Sequence, residues 1–356
     1  MESNKKNLTN NHKKRFYYMD ILNVIATMAV LMLHTSEYAF EYEPQQTVWY
    51  VSLAIQIIFI WAVPIFFMIS GSNLLNYRER YDTKTFFKKR WSRVLIPFLF
   101  WSAIWYTWNH FIMHTGDWSL KGFINGVEYD TIQPIFWFFY FLIPIYIAIP
   151  YLSILATKSN KKIVQYIIIL YFIGTCIFNY GYTLIKRAPD QLLNNIPLAI
   201  STGVGIFFVG WYLHNFEPTK KQRYLLYTTT ILSIVLMFVV TIILSVRNNE
   251  TVTDAYSIFS IGGFLMPLGI WVFIQRHFYH DWQPSERTAY WLKKLSGASL
   301  GVYVIHEFII IIIEHLFSLS SASYIHIFLL PVVVWIISVT IVFILQKIPV
   351  VNRVLP

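Results

Sequence analysis

The chain has 356 residues, of which 56% are hydrophobic and 13% charged, with a mean hydropathy of +0.51. That balance excludes an ordinary soluble domain. The single cysteine, Cys176, lies in an apolar run, which excludes an intramolecular disulfide framework and a thiolate metal cluster. A net charge of +10 would suit a nucleic-acid binder, but the placement of the basic residues points to a lipid bilayer instead.

Residues 1–16 are polar and basic and read as a disordered cytoplasmic tail. The apolar stretch after them is long enough to span rather than to serve as a cleaved signal core. Windows of about 20 apolar residues predict spans at roughly 17–39, 49–75, 94–115, 135–155, 163–180, 196–214, 224–246, 255–275, 297–317 and 322–346. The fold class expected is an all-α polytopic membrane bundle over 17–346, with a second cytoplasmic tail at 347–356. Alternating sides along the chain puts 24 of the 28 Lys and Arg on one face. The positive-inside rule then predicts both termini in the cytoplasm. The outer loops are short and acidic, so the chemistry must lie inside the bundle or at its mouths. A composition rich in Lys, Asn and Ile hints at a bacterial plasma membrane.

The first span carries Asp20, Asn23 and His34, with Glu37 beyond. On an ideal helix, Asn23 and His34 lie about 20° apart around the axis and about 16 Å apart along it. An ionisable side chain inside hydrocarbon is costly and marks a site by default. His34 therefore reads as a catalytic base oriented by Glu37, with an interhelical clasp as the plainer alternative. Asp20, near the headgroups, reads equally as a helix-start carboxylate. The second span ends with Ser70, Gly71, Ser72 and Asn73, where small residues permit close helix approach and Ser70 and Asn73 add donors.

The next cytoplasmic segment holds Lys84, Lys88, Lys89, Arg90 and Arg93 with no intervening acid. It reads either as an anchor on anionic lipid or as a phosphate site, since Arg90 and Arg93 open the third span on one helix face. Late in that span, His110 and His114 are four apart but lack the Glu of a helical zinc pattern, so no metal centre is expected. In the ninth span, small residues precede Tyr303 and His306, with Glu307 next in the chain and Glu314 and His315 near the outer end. A second histidine within the apolar region favours one convergent polar pocket.

Taken in order, these segments resemble the acyltransferase type 3 family of integral membrane acyltransferases. The matching stretches are Asp20 with Leu22-Asn23 and His34, Phe66 to Gly71, Phe87 through Arg90 and Arg93 to Pro97, Ile135 to Phe138 with Tyr146 and Pro150, Phe207 to Gly210, and Ser299 to His306. The chain resembles the stand-alone members without a fused esterase-like domain. It departs from the pattern at Asn23, where the family usually has arginine, so the charge for donor handling must come from elsewhere, such as Arg90 or Arg93.

The resemblance implies transfer of an acyl group, acetyl above all, from cytoplasmic acetyl-CoA or another acyl-CoA to a hydroxyl of a cell-envelope or exported glycan. His34 would act as base or acyl carrier, with Glu37. Lys88, Lys89, Arg90, Arg93 and Asn23 would hold the donor, and Tyr303, His306, Ser70 and Asn73 would line the substrate side. A homo-oligomer or another envelope-biosynthesis protein stays open as a partner. A polysaccharide or lipid-linked sugar exporter is the alternative from a different class.

Overall fold

A computed structural model describes residues 15–185, 203–279, 282–349 and 351–355. All regular structure among them is helical: α1 Tyr17–His34, α2 Thr47–Phe59, α3 Ala62–Leu74, α4 Thr83–Arg90, α5 Ile96–Phe111, α6 Leu120–Glu128, α7 Trp137–Leu155, α8 Lys161–Tyr171, α9 Tyr180–Leu184, α10 Val204–Asn215, α11 Lys220–Asn248, α12 Ile261–Tyr279, α13 Glu286–Phe317 and α14 Leu330–Leu345. Eight helical stretches in the described residues are long and apolar enough to cross a membrane. Many large apolar side chains face outward, among them Ile147, Leu225, Ile231 and Ile336. In water such a surface would drive aggregation; against lipid it is the natural exterior. The protein is a polytopic membrane bundle.

Two of the ten anticipated spans are not among the eight. The 94–115 window corresponds to α5, whose Trp, Tyr, Asn and His lower its hydropathy; the 196–214 window lies partly outside the described residues, and its described end is α10. The 1–16 tail also lies outside them apart from Arg15 and Phe16. Residues 351–355, at the end of the chain, pack against the bundle. Leu355 is buried, and the Val354 carbonyl accepts a bond from Trp101 Nε1 at 3.0 Å.

Helix ends differ from the hydropathy windows for local reasons. The 49–75 window is two helices, because Pro64 lacks an N–H and its ring would meet the carbonyl one turn back, so the chain breaks at Ile60-Trp61. The 17–39 window stops being α-helical after His34. There the Thr35 hydroxyl turns back to the Leu31 carbonyl at 3.0 Å and the Ser36 hydroxyl to that of Met32 at 2.6 Å. Hydroxyls bonded this way compete with helix propagation.

α1 lies at the centre, packed against α2, α3, α12, α13 and α14. α3 and α10 pack backbone to backbone. A Cβ on Gly71 would run into the Phe207 backbone, and one on Gly210 into that of Met68. The close approach anticipated for the small residues ending the second span is thus made, at Gly71 against Phe207 of the sixth-span motif.

Candidate active site

The free end of α1 is held by side chains from elsewhere. Its last carbonyls lack partners within the helix. Gln56, buried in α2, donates from Nε2 to the Leu33 carbonyl at 2.6 Å and to Ser36 Oγ at 3.1 Å. His326, just before α14, donates from Nδ1 to the Thr35 carbonyl at 2.8 Å, and its Nε2 faces Glu314 Oε1 at 2.6 Å. His34 is therefore set on a clamped terminus.

The chain then turns through a short 3-10 segment, Glu37–Phe40, which returns Glu37 to His34. His34 Nδ1 and Glu37 Oε1 are 3.1 Å apart. The pair anticipated from spacing is made, across a turn rather than along one helix face. A carboxylate only accepts, so Nδ1 carries the proton of this contact.

α13 supplies the opposite wall. His306, fully buried, donates from Nδ1 to the Tyr303 carbonyl at 2.6 Å, which leaves its Nε2 bare. The His34 and His306 rings are 5.0 Å apart at 45°. The Tyr303 hydroxyl donates to the Ile135 carbonyl at the foot of α7. Glu307, not assigned a role from the sequence, brings Oε2 to 3.9 Å from His306 Nε2. Neither of those two buried atoms has a hydrogen-bond partner.

Below the histidines is a cavity of about 970 Å³. Its far end is basic, with Arg90, Arg93, Lys294 and Arg353; its middle holds Asn23, Ser70, Tyr146 and Ser296; its apolar walls include Phe66, Val30 and Phe138. Neither His34 nor His306 lines the cavity; Val30 and Tyr303, about one helical turn before each of them in the chain, do. Asn23 donates from Nδ2 to the Ser296 carbonyl at 2.8 Å and to Ser296 Oγ at 3.0 Å, tying α1 to α13. At this depth Asn23 is a wall element and strut, and the cations come from four other residues.

Arg90 immediately precedes a π-turn, Trp91–Leu95, and Arg93 lies within it; the turn precedes Pro97, and both arginines line the cavity. Turns of this kind absorb an extra residue in a helix and recur at functional sites. The Arg90 guanidinium lies 5.9 Å from the Tyr146 ring centre, and its Nε is buried without a partner.

Other anticipated site residues lie elsewhere. Lys88 and Lys89 are exposed and outside the cavity wall, with Lys89 Nζ 4.1 Å over the Tyr81 ring. Asn73 is exposed, and its carbonyl takes a bond from Arg80. Asp20 forms a two-pronged pair with Arg15, both contacts at 2.7 Å, and does not line the cavity. His110 stacks on Trp118, and His114 sits past the helix end at φ 52°, so the two do not share a helix face.

The chain is a polytopic membrane bundle with a cavity lined by four cations on the side of paired histidines. Residues 16–346 match the acyltransferase domain of the type 3 family, and the chain belongs to that family. No curated protein matches it, and no solved structure does either.

Proposed function

We propose that this membrane acyltransferase transfers an acetyl group from cytoplasmic acetyl-CoA to a hydroxyl of a cell-envelope or exported glycan. The observation that carries this is the cavity lined by Arg90, Arg93, Lys294 and Arg353 and also by Val30 and Tyr303, which lie about one helical turn before His34 and His306 in the chain. A nucleotide with several phosphates suits four cations, of which the two arginines on the π-turn are aimed inward. The apolar and amide-bearing middle suits a pantetheine arm, and the distance of about 16 Å from Asn23 to His34 is comparable to the length of such an arm.

The thioester carbonyl then lies beside His34. The acceptor oxygen bonds to that carbon as its proton passes to His34 Nε2, the carbon–sulfur bond breaks, and the thiolate recovers the proton from the imidazolium. Glu37 holds the tautomer and balances the transient charge. In the acyl-carrier variant of the scheme, Nε2 takes the acetyl group first and passes it to the hydroxyl. His306 borders the same space, and Tyr303 and Ser70 line the donor channel below it.

Inverted vesicles supplied with radiolabelled acetyl-CoA should pass label to a glycan fraction in a manner that depends on this chain. Glycan movement without any consumption of donor would establish the exporter and overturn the acyltransferase scheme. Mass spectrometry of surface glycans from cells with and without the gene identifies acceptor and acyl group together.

A further inference from the structure

His34, His306 and Glu307 bring one ligand-type atom each to within 4.8 Å of one another. Three features go beyond proximity. The His306 ring is fully buried and its Nε2 has no partner, although an unsatisfied buried acceptor normally costs about 1–3 kcal/mol. Oε2 of Glu307 is likewise buried without a partner. Each histidine also has its other nitrogen engaged, Nδ1 of His34 by Glu37 at 3.1 Å and Nδ1 of His306 by the Tyr303 carbonyl at 2.6 Å. That is the arrangement by which proteins present imidazole to a metal: the outer partner fixes the tautomer and raises the basicity of the ligating nitrogen.

We propose that His34, His306 and Glu307 form a binding site for a zinc-type divalent cation, and that occupancy of this site switches the transferase off. Two imidazoles and one carboxylate make a borderline-soft set suited to zinc, with a fourth position left for water. Ligands around a tetrahedral zinc sit about 3.3 Å from one another, so the three side chains must draw in by about 1.5 Å. Glu307 is long and 22% exposed, which leaves it free to make that move. Inhibition follows from electron count. The His34 Nε2 lone pair that would accept the hydroxyl proton is donated to the metal instead. The inference rests on the proposed role of His34 only for its inhibitory half; binding stands on geometry alone. The sequence pointed away from a metal because the ligands come from two spans 272 positions apart in the numbering.

The test uses the full chain, purified in detergent and stripped with chelator. Zinc ion alone is titrated by equilibrium dialysis, and donor consumption is followed in the same samples. The expectation is one zinc per chain, weakened at least about 10-fold by Glu307→Gln and His306→Gln and by a similar factor by Glu37→Gln, which alters only the outer partner. His110→Gln and His315→Gln, at histidines outside the cluster, should change nothing. In wild type, acyl transfer should fall over the concentration range in which zinc binds and return with chelator. Equal zinc binding by wild type, Glu307→Gln and Glu37→Gln overturns the site. Zinc that binds there and stimulates transfer overturns the inhibitory half. A wild-type chain that binds zinc but consumes no acyl-CoA overturns the acyltransferase mechanism and leaves the metal site standing.

Discussion

His34 and His306 face each other across 5.0 Å although they lie on different helices, and each has its Nδ1 committed to an acceptor on its own segment. If the proposed acyl transfer operates here, one of the two rings takes a proton from one substrate and returns it to another while its neighbour stays neutral. This does not require both rings to be charged at once, which would be costly inside a bundle.

The first expected outcome concerns that pair. His34→Ala should abolish glycan acylation while the protein remains folded in the membrane. His306→Gln, which keeps a hydrogen-bonding group of similar reach, should lower turnover by about 100-fold, the lower range for loss of an acid–base group. Turnover and apparent donor affinity measured in vesicles separate the two effects. Normal acylation by the His34 variant would remove the proposed chemistry.

Much of this centre was legible because the membrane makes certain residues expensive. His34 and His306 stand out in apolar runs, and Arg90, Arg93 and Gly71 stand out by spacing or size. By the same rule Gln56 and His326, also polar and buried, should have drawn attention as the clamps on the end of α1. The basic contributions of Lys294 and Arg353 were not legible. Arg353 joins Arg90 because the segment after α14 folds back, and Lys294 because α13 lines the same cavity; no spacing along the chain records either meeting. The end of α1 was placed too late because a hydropathy window averages over Thr35 and Ser36, whose hydroxyls turn back on the helix. Lys88 and Lys89 were grouped with the arginines by charge alone, while the π-turn selects which of the cluster faces the cavity.

That selection gives a second outcome. Arg90→Gln and Arg93→Gln should each raise the apparent KM for acetyl-CoA by about 10-fold, the equivalent of one charge-assisted hydrogen bond of about 1.5 kcal/mol. Lys88→Gln and Lys89→Gln should change it by less than about 2-fold, as expected of solvated surface charges. A donor that lacks the nucleotide, S-acetylpantetheine, should be indifferent to all four substitutions. If the lysine variants lose donor affinity as much as the arginine variants, the cluster acts as a diffuse field and not as a shaped mouth.

Asp130 yields a pH dependence outside the spans. It sits between α6 and α7 in a left-handed backbone conformation at φ 53°, with Oδ1 buried and unpartnered. Burial pushes its carboxyl up to about 6. The folded value thus lies above that of the unfolded chain, about 3.9. The contribution to stability is complete below the unfolded value and is lost as pH rises through about 6. Asp130→Asn tolerates the left-handed conformation and carries no charge to desolvate. Melting of the detergent-solubilised variant should match wild type near pH 4 and exceed it at pH 7.5. A variant no more stable than wild type at pH 7.5 would show that the carboxylate is solvated in the folded state.

The last outcome tests whether the motif glycines assemble the site. Gly71 on α3 meets the Phe207 backbone and Gly210 on α10 meets that of Met68, so neither contact is a flexible side-chain tip able to move aside. Adding one methyl at either place must push the helices apart along their line of closest approach. In a well-packed interior such a change costs about 1–3 kcal/mol. Within lipid no hydrophobic gain drives helices together, so close packing carries the association and its loss is not offset. Gly71→Ala and Gly210→Ala should each lower the melting temperature in detergent. The double variant should lose less than the two single losses combined, since one separation relieves both clashes. α3 also carries Ser70 on the cavity wall, so both variants should weaken donor use before they unfold. Strict additivity of the two losses would show that the glycines act at independent contacts and that α3 and α10 do not move as a unit.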